Sequence, residues 1–174
     1  FGAPGSGEWE NGMTATNDAG PRSVALVGPF GSGKTTLLES LLYVSDTIDR
    51  KGKVPDGTSV GDASAEARAR GSTVELNVAS LNHGGQKLTL LDCPGSVEFS
   101  QETLNALTGV DLAIIVCDPD IDRVWTMARI FRMLGDNDIP AMLFANRMDE
   151  SVVRVGELVE ALAPMSSRAF VPCH

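Results

Sequence analysis

Residues 28–35 read Gly28-Pro29-Phe30-Gly31-Ser32-Gly33-Lys34-Thr35, which fits the pattern G-x-x-x-x-G-K-[ST]. A short apolar run, Val24 to Val27, precedes this segment, and leucines at helical spacing follow it from Leu37 to Leu42. The order of the segments therefore indicates a strand, a tight glycine-rich loop and a helix. Such a loop in that context is typical of phosphate binding.

Each residue type in this segment has a physical part in holding a phosphate. Glycines let backbone N–H groups approach phosphate oxygens, and the start of the following helix directs its unpaired N–H groups at the same anion. Lys34 adds a positive charge, and the Thr35 hydroxyl can ligate Mg²⁺. The predicted nucleotide-binding residues are Gly28, Gly31, Ser32, Gly33, Lys34, Thr35 and Thr36, the last placed to cover the α-phosphate. A ligand-free flexible loop is the alternative.

The rest of the pattern predicts an α/β fold. Alternating residues from Thr73 to Leu81 and from Lys87 to Leu91, separated by residues 82–86, predict a β-hairpin. The continuous apolar runs Leu112 to Cys117 and Ala141 to Ala145 predict strands covered on both faces. Two helical stripes belong to the core: Val124, Met127, Phe131 and Leu134, then Val155, Leu158, Val159 and Leu162. We expect a mostly parallel central sheet with one antiparallel edge strand and helices on both faces, as in P-loop NTPases.

Composition narrows the function classes. The 174 residues suit one domain, and the net charge of −9 argues against sequence-specific nucleic-acid binding through a basic face. Cys93, Cys117 and Cys173 have no metal-ligand spacing and indicate buried thiols in a reducing compartment. No apolar run is long enough for a membrane span and no secretory signal is visible, so we expect a cytoplasmic monomer.

Two polar segments directly follow predicted strands. Asp92-Cys93-Pro94-Gly95 comes after the strand ending at Leu91, where an Asp can hold Mg²⁺ directly or through water and the Gly95 N–H can reach a γ-phosphate. Asn146-Arg147-Met148-Asp149 follows the strand ending at Ala145 and resembles the N-K-x-D motif of GTPases. An ordinary turn and a helix start with a first-turn Asp are the respective alternatives.

The second segment predicts a preference for guanine. The Asp149 carboxylate would accept hydrogen bonds from the ring N–H and the amino group of guanine, and adenine offers neither. Asn146 would tie this segment to the phosphate loop. Arg147 replaces the usual Lys, and its planar guanidinium can lie over the base.

The order of these motifs resembles the G domain of elongation factor G and related translational GTPases, over about residues 23–164. Residues 70–73, Arg-Gly-Ser-Thr, are similar to the family's R-G-I-T at the end of switch I. Residues 92–99 are similar to its D-T-P-G-H-V-D-F, and the stretch from Ile139 to Asp149 is similar to its V-P…N-K-M-D. The resemblance implies a Mg²⁺-dependent GTP/GDP switch that acts on the ribosome through domains absent from this chain.

Site roles follow from the same resemblance. Thr73 corresponds to the switch I threonine that joins Mg²⁺ and senses the γ-phosphate, so the implied metal ligands are Thr35, Thr73 and Asp92. The implied catalytic set is Lys34, Thr73, Gly95 and Ser96. Ser96 departs from the family, because it stands where the family has a histidine that positions the attacking water. A serine hydroxyl is shorter and cannot become cationic, so we expect weak hydrolysis.

Three further expectations concern organisation and alternatives. Residues 1–21 predict a disordered arm, partly foreign to the natural sequence, and residues 22–174 the GTP-binding domain. The family's Ser-Ala motif that contacts guanine does not appear before His174, so we expect a domain truncated before it. A GTP-dependent ribosome-binding or protection module with little hydrolysis, and a P-loop ATPase, remain the alternative functions.

Overall fold

The computed structural model describes residues 22–52, 76–95 and 100–171. Strands and helices alternate along most of this chain, as the apolar pattern predicts. The strands are β1 (Arg22–Val27), β2 (Asn77–His83), β3 (Gln86–Asp92), β4 (Leu112–Cys117) and β5 (Ala141–Ala145). The α-helices are α1 (Lys34–Val44), α2 (Ser100–Leu107), α3 (Ala128–Asp136) and α4 (Val155–Leu162), and short 3₁₀ segments span Ile121–Met127, Met148–Glu150 and Ala163–Met165.

The five strands form one sheet in the order β2-β3-β1-β4-β5. Strand β1 lies in the middle and pairs in parallel with β3 and β4, and β4 pairs in parallel with β5. Strand β2 pairs antiparallel with β3 at one edge. The predicted fold class is therefore confirmed, and the carboxyl ends of the four parallel strands lie at the same edge of the sheet.

Apolar side chains cover the sheet on both faces. On one face Leu26 and Leu90 pack with Leu38 and Leu42 of α1. On the other face the strand residues pack against α2, α3 and α4, and this larger core includes the whole of the first predicted helical stripe and part of the second. Alternate residues of β1 and β4 belong to opposite cores, as expected for parallel strands covered by helices on each side.

The hairpin turn is tighter than the sequence predicts. His83 pairs with Gln86, so the turn consists of Gly84 and Gly85, which adopt φ of 58° and 79°. Both values favour glycine, and a two-residue turn with positive φ matches the twist of the strands. The first strand of the hairpin, β2, begins at Asn77. The prediction starts this strand at Thr73, and residues 73–75 lie outside the described residues.

Strand β5 contradicts the prediction that it is covered on both faces. Met142 is 44 % exposed and Phe144 is 38 % exposed, because β5 is the last strand of the sheet among the described residues. The second helical stripe also has one outward member, since Val155 is exposed whereas Leu158 and Leu162 are fully buried. The first stripe is buried throughout, but Val124 and Met127 lie in the 3₁₀ segment that precedes α3.

The described cysteines behave as small apolar residues. Cys93 and Cys117 are buried free thiols, and burial raises the pKa of each to about 12. Cys173 lies outside the described residues. Within the ranges that the structure describes, none of the helices has the length and apolar content needed to cross a membrane.

Candidate functional site

The phosphate loop runs from the end of β1 to the start of α1 and needs glycine at two crowded positions. Gly28 has a φ of 155°, and a Cβ there would collide with the carbonyl oxygen of Val116. Gly33 has a φ of 94°, and a Cβ there would collide with the side-chain amide of Asn146. These contacts bring the loop against the ends of β4 and β5, so glycine is required by close approach as well as by φ.

Lys34 is the buried cation of the site. It is 6 % exposed, and its Nζ donates hydrogen bonds to the carbonyl oxygens of Gly28 at 3.1 Å and Pro29 at 3.0 Å. The turn after β3 approaches it closely, because a Cβ added to Gly95 would lie 2.5 Å from Nζ. Burial lowers the pKa of Lys34, and the negative charge of Asp92 opposes that shift. Lys34 and Gly95, both predicted catalytic residues, are therefore neighbours.

Asp92 ends β3 and faces the first turn of α1. Its side chain is fully buried, and the Thr35 hydroxyl donates a 2.6 Å hydrogen bond to its Oδ2. Burial raises the pKa of Asp92, whereas the Thr35 hydrogen bond and the charge of Lys34 lower it. The other carboxylate oxygen, Oδ1, is buried and has no hydrogen-bond partner.

These oxygens fit a magnesium ion. Mg²⁺ prefers hard oxygen ligands and usually keeps waters and phosphate oxygens in its octahedral shell. The Thr35 hydroxyl and the unsatisfied Oδ1 of Asp92 supply oxygens of that kind beside Lys34. No group of three or more His, Cys, Asp or Glu side chains in the described ranges could hold a metal by itself. A metal here would therefore take most of its shell from phosphate and water.

The predicted base-binding segment is attached to the phosphate loop. The Asn146 backbone N–H donates to the Cys117 carbonyl at 2.8 Å, and its side-chain amide donates to the Ser32 carbonyl at 2.9 Å. Arg147 adopts a φ of 52° and donates to the Gly31 carbonyl at 3.1 Å. Through these bonds the ends of β4 and β5 and the phosphate loop form one connected edge.

Asp149 and Arg147 differ in their surroundings. Asp149 lies in the exposed 3₁₀ turn that follows Arg147, at the sheet edge that carries the phosphate loop. The Arg147 guanidinium forms a 2.7 Å ion pair with Asp118, directly after β4. Sequence reasoning missed Asp118, although its position after an apolar strand is the signal that identifies Asp92.

The remaining predicted residues divide into three groups. Thr36 is exposed in the first turn of α1, next to Thr35. The Ser32 side chain is 1 % exposed, and its Oγ has no hydrogen-bond partner. Thr73 and Ser96 lie outside the described residues, so their predicted roles are untested.

His83 lies far from this edge of the sheet. Asn77 at one end of β2 pairs with Asp92, and His83 at the other end pairs with Gln86. His83 lies six residues further along β2 than Asn77, a distance of about 20 Å along the strand. His83 therefore cannot act at a phosphate held by Lys34.

The family follows from comparison with known proteins. A family model described as the elongation factor Tu GTP binding domain matches residues 20–170. This chain belongs to that family. It is a translational GTPase G domain similar to proteins of the elongation factor G family, and G domains of such GTPases generally bind GTP together with Mg²⁺.

Relatives and a solved structure agree with this assignment. An elongation factor G-like protein of Synechocystis is 50 % identical over 87 % of this chain, which covers 23 % of that protein. Elongation factor G 2 of Streptomyces coelicolor is 32 % identical over 75 % of the chain and 19 % of that protein. A crystal structure of a protein from Thermus thermophilus superposes with a TM-score of 0.76 and 34 % identity, over 84 % of this chain and 22 % of the other. The chain thus spans less than a quarter of each of these relatives.

Proposed function

We propose that this chain is the Mg²⁺-dependent GTP/GDP switch of a translational GTPase that acts on the ribosome in the cytoplasm. The observation that carries the proposal is the attachment of the base-binding segment to the phosphate loop by Asn146 and Arg147. It places Asp149 at the sheet edge that carries Lys34. A nucleotide that lies along this edge can contact the phosphate-binding and the base-binding residues of the protein at the same time.

The phosphate loop holds the phosphates through its backbone. The N–H groups from Gly31 to Thr36 surround the β-phosphate, and the start of α1 adds the favourable end of the helix dipole. Lys34 leaves the Gly28 and Pro29 carbonyls in part to contact the β- and γ-phosphates. Because burial makes the ammonium poorly solvated, a phosphate oxygen is a strong partner for it.

Thr35, Asp92 and Thr73 hold the metal side of the nucleotide. The Thr35 hydroxyl and the Asp92 carboxylate already lie together, which supports this role. Mg²⁺ held by these residues would supply positive charge beside the phosphates, and Thr73 would bind there only while the γ-phosphate is present. Loss of the γ-phosphate releases the segment that carries Thr73 and the turn after Asp92.

Asp149 selects guanine over adenine. Competition of fluorescent GDP by ATP and by GTP tests this, and we expect displacement by GTP alone. Asp149→Asn should weaken GDP binding by about a hundredfold or more, because the amide keeps only one acceptor oxygen for the two guanine hydrogens and presents an NH₂ donor to the other. The matched control is Glu150→Gln, which removes a neighbouring exposed carboxylate and should leave the affinity unchanged. Equal displacement by ATP would favour a P-loop ATPase and overturn the guanine assignment.

Ser96 makes hydrolysis weak in this proposal. A serine next to Gly95 can donate one neutral hydrogen bond to water, whereas a histidine can orient the water and carry positive charge. The test is single-turnover GTP hydrolysis with and without ribosomes, for the wild type and for Ser96→His. We expect slow hydrolysis for the wild type and an increase of about 10²-fold or more for the variant. Fast ribosome-stimulated hydrolysis that Ser96→His does not raise would contradict this role.

The second candidate function is a GTP-dependent ribosome-binding or protection module that does not cycle by efficient hydrolysis. Ser96 is the observation that favours it, and one relative at 33 % identity is named tetracycline resistance protein TetW. Ribosome binding that needs GTP and persists without hydrolysis would support this candidate.

We further propose that the chain is a monomer. We also propose that it makes no sequence-specific nucleic-acid contact, since it carries a net charge of −9.

A further inference from the structure

Asn77 on β2 lies directly opposite Asp92 on β3. The two Cα positions are partners in the antiparallel register, at the end of the hairpin nearest the phosphate loop. Side chains of directly opposed residues project from the same face, with Cβ atoms about 4.5–5.5 Å apart. The Asn77 amide, which is attached directly to Cβ, therefore lies near the Asp92 carboxylate.

The packing identifies which face they share. Ala79 and Leu81 alternate with Asn77 along β2, and both pack in the core beneath α1. Leu90 belongs to the same core and lies two residues before Asp92. Asn77 therefore projects towards the helix that carries Thr35, which is the side where Asp92 accepts the Thr35 hydrogen bond.

Both side chains carry a buried polar atom without a partner. The Asn77 Nδ2 is a donor with no acceptor, and the Asp92 Oδ1 is an acceptor with no donor. Leaving such groups unpaired in a buried site is unfavourable, so a state that joins them is favoured. A small change in the Asn77 side-chain rotamer or one bridging water would satisfy both atoms.

We propose that Asn77 is a positioning residue that holds the Asp92 carboxylate for the magnesium side of the nucleotide. Thr35 fixes one carboxylate oxygen, and the Asn77 amide fixes the other, directly or through one water. With both oxygens held, the carboxylate cannot rotate out of the plane that faces the bound nucleotide. The inference rests on the proposed binding of nucleotide with Mg²⁺ and adds a residue that none of the motifs contains.

The role predicts a defect that depends on the metal. Asn77→Leu has a similar volume and removes the amide, so the carboxylate loses one of its two restraints. The Mg²⁺ concentration that gives half-maximal tightening of GDP binding should rise about tenfold, which corresponds to about 1.4 kcal/mol. The affinity for GDP in excess EDTA should change by less than about twofold, a factor worth under about 0.5 kcal/mol, because Asn77 contacts no part of the nucleotide.

The experiment is a titration of fluorescent GDP against the full chain at a series of Mg²⁺ concentrations and in EDTA. Asn82→Leu is the matched control, since Asn82 lies on the same strand and is exposed. Asn77→Ala removes the amide with a smaller apolar side chain than Leu and should raise the Mg²⁺ requirement by a similar factor. Asn77→Gln keeps a donor amide and should restore part of the Mg²⁺ response.

Each outcome decides one point. A selective rise in the Mg²⁺ requirement for Asn77→Leu or, if that variant does not fold, for Asn77→Ala supports the positioning role. An unchanged Mg²⁺ requirement in a folded variant, or an equal rise for Asn82→Leu, overturns it while the proposed function stands. If the wild type binds no GDP at any Mg²⁺ concentration, the proposed function itself fails, and this role fails with it.

Discussion

Lys34 and Asp92 are buried charged side chains that the sheet and α1 bring together. Burial lowers the pKa of Lys34 and raises the pKa of Asp92, because it disfavours the charged form of each side chain. The attraction between the two charges opposes both shifts. Their remaining hydrogen-bond capacity is poorly used, since Lys34 binds two loop carbonyls and Asp92 leaves Oδ1 unpaired. A phosphate would give Lys34 a charged partner, and a magnesium ion would accept a lone pair of Oδ1 that an Asn77 hydrogen bond leaves free. Burial of these two charges therefore costs more free energy in the empty site than in the occupied one.

The raised pKa of Asp92 gives the empty domain a defined pH dependence. Between its ordinary value of 3.8 and the raised value, the folded state binds more protons than the unfolded state. The free energy of unfolding therefore falls as pH rises through that window. Asp92→Asn cannot titrate, so its stability relative to the wild type should increase over the same window and then level off.

Urea unfolding at several pH values, in EDTA and without nucleotide, measures this difference. Thr35→Val serves as a second variant, because it removes the hydrogen bond that lowers the pKa and should move the window to higher pH. If the difference in free energy of unfolding between the wild type and Asp92→Asn does not vary with pH, burial does not raise the pKa of Asp92.

Gly33→Ala should damage both folding and binding. Its φ of 94° strains any other residue, and the added Cβ would meet the Asn146 amide. Gly84→Ala is the matched control, since Gly84 also has a positive φ but has open space around it. The control should cost about 1–2 kcal/mol of stability from backbone strain alone. Gly33→Ala should cost more in chemical denaturation and also weaken GDP binding, and equal effects of the two variants would disprove the steric argument.

At the scale of elements, local pattern predicts most of the sheet. The apolar runs predict β1 and β4. The glycines after β1 predict the loop, because its backbone conformation is one that glycine adopts most readily. The sequence predicts a hairpin turn that is too long. The pairing of His83 with Gln86 depends on the register between the two strands, which neither residue indicates alone. Strand β5 was predicted as covered because its composition matches β4, whereas exposure depends on its place in the strand order.

The candidate site shows the same division. Lys34, Thr35 and Asn146 belong to contiguous motifs whose spacing is set by one loop, so sequence can identify them. Asp118 and Asn77 belong to no motif. Each acquires its place from a strand partner far away in the chain, through the parallel register of β4 with β5 or the antiparallel register of β2 with β3.

The outer edge of β5 predicts that the monomer aggregates at high concentration. Within the described residues no strand pairs with that edge, and Met142 and Phe144 are exposed there. Exposed apolar edge strands are templates for pairing between molecules. Met142→Lys should lower concentration-dependent light scattering and change the free energy of unfolding by less than about 0.5 kcal/mol.

The control for this element is Val152→Lys, at an apolar side chain that is 98 % exposed in a loop rather than in a strand. It adds the same charge without altering a strand edge. If both variants reduce scattering equally, net charge rather than the edge of β5 governs association.

At the scale of the whole molecule, an acidic chain holds a polyanion by concentrating its favourable groups at one edge. The net charge is −9, yet the phosphate loop combines Lys34, the start of α1 and inward-facing N–H groups. Asn146 and Arg147 connect that edge to β5. Because the end of β3 and the segment after β5 both contact the phosphate loop and the start of α1, nucleotide binding and folding of this edge are coupled.

That coupling predicts stabilisation by the correct nucleotide alone. A ligand that binds only the folded state adds about 2.7 kcal/mol at a concentration one hundred times its Kd. For a chain of this size such a gain should raise the Tm by about 5–10 °C. GDP with Mg²⁺ should produce this shift in a thermal melt, and ATP at the same concentration should not. Asp149→Asn should abolish the response to GDP while leaving the Tm without nucleotide within about 1–2 °C of the wild type, since Asp149 is exposed and a surface substitution costs little. A Tm insensitive to GDP in the folded wild type would show that this edge does not bind guanine nucleotide, whatever the resemblance of its motifs.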